Sequence, residues 1–151
     1  NKPLPRHLKI EAILFCIMSA IGLLDAGYLT FKHYLGGIPP CTIRGCEVVL
    51  TREQSEIAGV PVALLGALYY IMLLALSLAY IISKKEMVIR HAAYLTPTGL
   101  LASAYFVYLQ LFVIKAICLY CMASAATSTI LFMLGAYVII KTRRPSTASS
   151  V

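Results

Sequence analysis

The stretch "VIKAICLYCMAS", residues 113–124, places one lysine, Lys115, inside an otherwise uncharged run that extends from Ala92 to Ile140. As a single helix this run would be roughly 70 Å long at about 1.5 Å per residue, which is more than twice the ~30 Å hydrocarbon core of a bilayer. The chain is therefore predicted to turn near Lys115. This turn divides the run into two membrane spans, at about 92–114 and 116–140.

The 151-residue sequence has the composition of a membrane protein, with 60% hydrophobic and 13% charged residues and a mean hydropathy of +0.85. Two more apolar stretches, at about 8–31 and 60–82, are long enough to cross a bilayer. The net charge of +7 arises at the ends of the apolar runs and not on a basic face, so nucleic acid is not expected as a partner. We predict an all-α integral membrane protein, a four-transmembrane-helix bundle. It would form a single domain, 1–144, followed by a short disordered tail, 145–151.

The positions of Lys and Arg predict the orientation, because these residues favour the cytoplasmic side of a membrane. Nine lie on one side: Lys2, Arg6, Lys9, Lys84, Lys85, Arg90, Lys141, Arg143 and Arg144. Four lie on the other: Lys32, Arg44, Arg52 and Lys115. Both termini should therefore be cytoplasmic, and the loop 32–59 and the Lys115 turn should face the outside.

Four of the five cysteines fall on that outer face, where disulfides can persist. Cys41 and Cys46 lie in the loop, and Cys118 and Cys121 lie at the head of the fourth span. Cys16 lies in the middle of the first span, where we expect a small hydrophobic residue without a redox role.

The Cys118–Cys121 pair has the Cys-x-x-Cys spacing of redox proteins. At the start of a helix the free N–H groups and the helix dipole favour a thiolate, and Lys115 adds a positive charge. We therefore expect a lowered thiol pKa. A structural disulfide, or two thiols that only pack between helices, is the alternative.

The outer loop carries a helix-start signal after its two cysteines. Thr51 followed by Gln54 fits a capping box, so we predict a short interfacial helix over 52–57. Pro61 suits the first turn of the second span, where a missing N–H costs little.

Two dithiols on one face of a membrane suit stepwise thiol–disulfide exchange. A quinone is the acceptor expected by elimination, because the sequence has no haem, flavin or nucleotide motif. Zinc is the main non-redox use of two cysteine pairs, but four-cysteine zinc sites are typical of small soluble domains, and we predict no metal site. A disulfide-stapled tetraspan scaffold or transporter subunit is the competing class.

Asp25 is the other candidate, since a carboxylate within a span is by default a functional-site hypothesis. It is predicted at a depth similar to that of Cys121, and a proton relay during quinone reduction is its functional interpretation. A packing residue helped by Lys32 is the alternative. Tyr70 and Gln110 are among the polar residues that could hydrogen-bond a ligand, although tyrosines near span ends are often interfacial anchors.

The stretch "GCEVVLTREQSEIAGVPVALLGALYY", residues 45–70, together with "CLYC", residues 118–121, resembles bacterial homologues of vitamin K epoxide reductase. The resemblance extends over about residues 8–140. It implies a four-helix bundle around a quinone, capped by the extracytoplasmic loop and its short helix. It also implies a bacterial or archaeal cytoplasmic membrane and a menaquinone, ubiquinone or vitamin K-like quinone.

The resemblance also implies a role for each outer-face cysteine. Cys41 would exchange with a thioredoxin-like partner, Cys46 would pass electrons to Cys118, and Cys121 would face the quinone. Relatives often continue into a fused thioredoxin-like domain, and without one here the extracytoplasmic partner is expected to be a separate protein.

The mammalian enzymes use an Asn and a Tyr to hydrogen-bond the quinone, at positions where this chain has Val62 and Ala125. A reductase of vitamin K epoxide or of vitamin K quinone is therefore kept only as an alternative function.

The predicted orientation has a direct test. A thiol reagent that cannot cross membranes should label Cys41 or Cys46, once reduced, when it is added to the outside of intact cells. Mass spectrometry of the labelled peptides measures this. Labelling only from the cytoplasmic side of inverted vesicles would reverse the proposed orientation.

Overall fold

A computed structural model of the chain describes residues 5–36, 56–57, 59–115 and 118–143. Its elements are α1 (Arg6–Tyr34), β1 (Glu56–Ile57), β2 (Val60–Pro61), α2 (Val62–Ser83), α3 (Glu86–Tyr108) and α4 (Leu119–Arg143), and a π-helical segment (Leu109–Ile114) continues α3. In the described part of the chain, four helices are long and apolar enough to cross a membrane. The predicted all-α membrane fold is confirmed.

The four helices run alternately up and down, as their contacts show. Tyr70 of α2 packs on Gly22 of α1 and hydrogen-bonds Ser124 of α4, while Arg90 of α3 donates to the carbonyl of Thr142 at the far end of α4. We call the end at which α1 finishes and α4 begins the thiol end, because Cys118 lies there.

Small residues let these helices approach closely, as is usual in membrane bundles. A Cβ atom added to Gly22 would overlap the Tyr70 ring, and one added to Gly99 would overlap the ring of Tyr69. The buried residues of α1 repeat every three or four positions, as one face of a helix requires. They are Leu8, Ala12, Phe15, Ser19, Gly22, Ala26 and Leu29.

The outward surface of the bundle is strongly apolar. Leu24, Leu101 and Ile82 are 75%, 72% and 82% exposed. An apolar surface of this kind is unfavourable in water but is what a hydrocarbon environment requires.

Pro97 lies inside α3 and has no N–H for the carbonyl of Ala93. The Thr96 hydroxyl donates a hydrogen bond of 2.6 Å to that carbonyl. The backbone group that the proline leaves free is therefore satisfied inside the bundle, as a membrane-spanning helix requires.

The predicted turn near Lys115 is confirmed. Lys115 ends the π-helical segment with a left-handed backbone, φ 57°, and α4 begins at Leu119. The helix ends differ from the predicted spans: α3 begins at Glu86, six residues before the predicted span at Ala92. Hydropathy locates only the apolar part of a helix, whereas the helix itself can extend into polar residues such as Glu86. The first turn of a helix favours negative charge, and Glu86 places a carboxylate in the first turn of α3.

The predicted helix at 52–57 is wrong at its end. Glu56 and Ile57 are extended and pair antiparallel with Pro61 and Val60, and Gly59 in the connection has φ 81°. A six-residue helix is only marginally stable by itself, so the hairpin pairing prevails there. Residues 52–55 of the predicted helix lie outside the described residues.

Gly22→Ala should destabilise the bundle, since the new methyl group would overlap the Tyr70 ring. Overpacking of this kind typically costs about 1–3 kcal/mol. Gly27→Ala is the matched control on the same helix, because its Cβ would meet no atom within 4 Å. Thermal unfolding in detergent, followed by circular dichroism, should show a lower Tm for Gly22→Ala alone, and equal Tm values would contradict the packing described here.

Candidate active site at the thiol end

Cys118 is the N-cap residue of α4. It directly precedes the first helical residue, and its carbonyl accepts the N–H of Met122 at 3.0 Å. The residue is fully buried. An N-cap side chain normally accepts hydrogen bonds from the second and third helical N–H groups, and here the sulfur takes that place opposite the N–H groups of Tyr120 and Cys121.

These contacts favour the thiolate of Cys118. The pKa of Cys118 is lowered to about 7, first by a hydrogen bond from the Cys121 thiol and then by the two backbone N–H groups, while burial and the Asp25 carboxylate oppose the shift. The lowered thiol pKa predicted from the sequence agrees with this geometry. The N–H groups of the helix terminus contribute to the lowered pKa of Cys118, as expected, but the largest contribution comes from the Cys121 thiol.

Asp25 lies on α1 beside both thiols, close enough to interact electrostatically with Cys118 and Cys121. The residue is partly exposed, but its Oδ2 atom is buried and accepts no hydrogen bond from the residues that the structure describes. Lys32, which the sequence suggested as its helper, lies with its ammonium group 5.8 Å from the centre of the Tyr28 ring. The structure therefore brings Asp25 together with the Cys-x-x-Cys pair.

A cluster of hydroxyl groups lies one helical turn farther from the thiol end. The Tyr70 hydroxyl donates to the carbonyl of Ser124 at 3.1 Å and also contacts the hydroxyls of Ser124 at 2.9 Å and Ser128 at 3.0 Å. Ser124 follows Cys121 by three residues on the same face of α4. Neither serine was predicted as part of the site, although two serines four residues apart in an apolar helix are a signal for such a cluster.

Gln110 is buried, with 2% of its surface exposed, and its Oε1 atom accepts the backbone N–H of Cys118 at 2.9 Å. The π-helical segment that carries Gln110 therefore contacts the thiol site directly. From the sequence, Gln110 was expected only as a residue that could hydrogen-bond a ligand.

A groove of about 370 Å³ runs between the thiol-end halves of α3 and α4. Its lining is largely apolar and includes Leu100, Val107, Phe112 and Ala125, with Ser103 and Thr129 among its polar members. Ala125 follows Cys121 by four residues, which is about 6 Å along the helix on the same face. Val62, the other position compared with the mammalian enzymes, is not part of its lining.

The remaining cysteines divide into two groups. Cys41 and Cys46 lie outside the described residues. Cys16 is unbridged and partly buried, and it lies nine residues before Asp25 on α1, roughly 14 Å along the helix axis. Cys16 is therefore well separated from the end of the bundle that carries Cys118, and its expected lack of a redox role stays a prediction.

Asp25→Asn should shift the pH dependence of Cys118 alkylation to lower pH, because the substitution removes a negative charge that raises the pKa of this thiol. Reduced protein in detergent would be treated with iodoacetamide over a range of pH, with Cys118 and Cys121 peptides quantified separately by mass spectrometry. A shift to higher pH, or no shift, would show that the carboxylate does not act on Cys118.

Comparison with known proteins identifies the group to which the chain belongs. Residues 13–136, which include Asp25, Cys41, Cys46, Cys118 and Cys121, match the model of the Vitamin K epoxide reductase family. The chain is also 36% identical over 123 residues to the Thiol-disulfide oxidoreductase LTO1 of Arabidopsis thaliana, a match that covers 74% of this chain but only 32% of that protein. The resemblance inferred from the sequence is confirmed, and the chain belongs to the vitamin K epoxide reductase family.

Proposed function

We propose that the protein is a membrane thiol–disulfide oxidoreductase with Cys118 and Cys121 as its inner dithiol and Cys41 and Cys46 as its outer one. The observation that carries this proposal is the N-cap position of Cys118, where helix N–H groups favour the thiolate that thiol–disulfide exchange requires. The name of LTO1, which describes this chemistry for a relative, supports the same reaction.

The proposed electron path starts at an extracytoplasmic thioredoxin-like partner with a reduced cysteine pair. A partner thiolate attacks Cys41 of the Cys41–Cys46 disulfide, and the partner's second thiol resolves the mixed disulfide. The partner is thereby oxidised and the outer pair is reduced. Cys46 then attacks Cys118 of the Cys118–Cys121 disulfide and Cys41 resolves that bridge, so two electrons reach the inner pair.

A membrane quinone is the proposed acceptor, and the groove between α3 and α4 fits it. Its volume of about 370 Å³ falls in the range usual for small-molecule sites. The apolar lining suits a ligand that arrives through the bilayer, and Cys121 lies one turn from Ala125 in that lining. When bound, a quinone would supply the capacity to accept two electrons and two protons.

Asp25 is the proposed acceptor of a proton from the inner pair. The two thiols lose two electrons and two protons as their disulfide re-forms. The Asp25 carboxylate interacts electrostatically with both thiols, and its Oδ2 atom is buried without a hydrogen bond from the described residues. Asp25→Asn should therefore slow quinone reduction even though it makes Cys118 more reactive. Faster or unchanged reduction would limit Asp25 to an electrostatic role.

The proposed orientation places the thiol end outside the cytoplasm. The opposite end of the bundle carries the basic residues Arg6, Lys9, Lys84, Lys85, Arg90 and Lys141, whereas the thiol end carries Lys32 and Lys115 among the described residues. This distribution supports cytoplasmic termini and an active site in the compartment where partner disulfides persist.

Two substitutions test the electron path. Cys46→Ala should accumulate a disulfide between Cys41 and the thioredoxin-like partner: because thiol–disulfide exchange is reversible, the Cys41 thiolate attacks the disulfide of the oxidised partner, and the Cys46 thiol that would displace the partner from Cys41 is missing. Cys121→Ala should accumulate an internal Cys46–Cys118 bridge and reduce quinone at least about a hundredfold more slowly, since the inner disulfide can no longer form. Non-reducing gels, mass spectrometry and quinone absorbance measure these outcomes.

Cys16→Ala is the matched control and should keep the quinone reductase activity of the parent protein. One set of results would overturn the proposed path and favour the stapled scaffold. It consists of static Cys41–Cys46 and Cys118–Cys121 bridges, no mixed species in either variant, and intact quinone reduction in Cys121→Ala.

A further inference from the structure

We infer that Gln110 is a positioning residue for Cys118: its side-chain amide fixes the backbone of Cys118 so that the sulfur caps α4 in a reactive geometry. The inference deepens the proposed function, since it rests on Cys118 being a reacting thiol. Gln110 contacts the backbone of Cys118 and is therefore assigned no direct part in the chemistry.

The hydrogen bond between these residues is buried at both ends. Gln110 is 2% exposed and Cys118 is fully buried, and the amide oxygen lies 2.9 Å from the Cys118 nitrogen. The N–H of an N-cap residue has no partner within its own helix. Leaving it unsatisfied in an apolar interior would be unfavourable, so the hydrogen bond from Cys118 to Gln110 holds the Cys118 backbone, which would otherwise rearrange.

The π-helical segment explains how Gln110 reaches that position. The segment follows α3 without a break and ends at Lys115 with a left-handed backbone. A wider helical turn changes which side chains face inward, and Leu109 and Gln110 are both buried there while Leu111, Phe112 and Val113 are exposed. π-Helical turns are frequently retained at functional sites.

The hydrogen bond determines the environment of the Cys118 sulfur through the backbone. With the Cys118 N–H fixed, the sulfur remains opposite the N–H groups of Tyr120 and Cys121, which favour the thiolate. Without it, the backbone of Cys118 can turn and the sulfur loses that alignment. The thiol would then approach the ordinary reactivity of a cysteine.

Other groups act on Cys118 and must be held constant in a test. From α4 these are the Cys121 thiol and Tyr120, and from α1 the Asp25 carboxylate. Tyr28 of α1 packs against Tyr120 with ring centroids 5.7 Å apart and carries the Lys32 ammonium over its ring. Lys115 precedes Cys118 by three residues. None of these is changed by a substitution at Gln110.

The test compares Gln110→Met and Gln110→Asn with the parent protein and with Val113→Ala, an exposed position in the same π-helical segment. Met removes the acceptor at similar length, and Asn keeps an amide that is one methylene too short. Both should shift the pH profile of Cys118 alkylation to higher pH and slow the reaction at pH 7 by about fivefold, because the thiolate fraction falls. Val113→Ala should react like the parent.

A second measurement applies to the unaltered protein and so does not depend on how the variants fold. With ¹⁵N-cysteine labelling, the Cys118 amide should exchange slowly with solvent deuterium although it precedes the first helical residue. A rapidly exchanging Cys118 amide, or folded Gln110 variants with the parent's alkylation profile, would overturn the inference. Neither measurement uses a quinone or a partner, so a failure of the proposed electron path would be seen separately, in the quinone assay.

Discussion

The turn near Lys115, which precedes α4, is the constraint on which the site depends. Cys118 is fully buried, so water cannot satisfy its backbone N–H and the protein must supply the partner. Gln110 accepts the Cys118 N–H, and the Cys118 sulfur faces the N–H groups of the next helical turn. The group that caps α4 is therefore also the proposed reactive thiol, and folding and reactivity depend on the same contacts.

Packing around Tyr70 relates the other helices to that turn. The ring lies against Gly22 of α1, and its hydroxyl contacts Ser124 and Ser128 of α4. Asp25 follows Gly22 by three residues on α1, whereas Cys121 precedes Ser124 by three residues on the antiparallel α4. A contact one turn deeper thus places Asp25 and Cys121 at the same level, which brings the carboxylate beside the thiols.

The number of helices and the turn at Lys115 could be predicted because both follow from the length of apolar runs relative to a bilayer. The lowered pKa of Cys118 could be predicted in direction, since helix termini favour thiolates. The bond from Gln110 could not, because it depends on a π-helical turn that a 3.6-residue period does not indicate. The hairpin at Glu56 and Ile57 was missed for a related reason: a local capping signal does not report pairing with residues farther along the chain.

In the proposed electron path, the depth of the groove favours electron transfer from Cys121 to the quinone over transfer from Cys118. Cys118 caps the helix and faces its N–H groups, which stabilise charge on its sulfur and suit it to exchange with another cysteine. Cys121 lies one turn deeper, four residues before Ala125 in the groove lining, and so is nearer to a ligand that enters from the hydrocarbon. Asp25 interacts with both thiols. As the proposed proton acceptor, Asp25 could take up a proton from either sulfur, so the two thiols can differ in their proposed roles while they share one base.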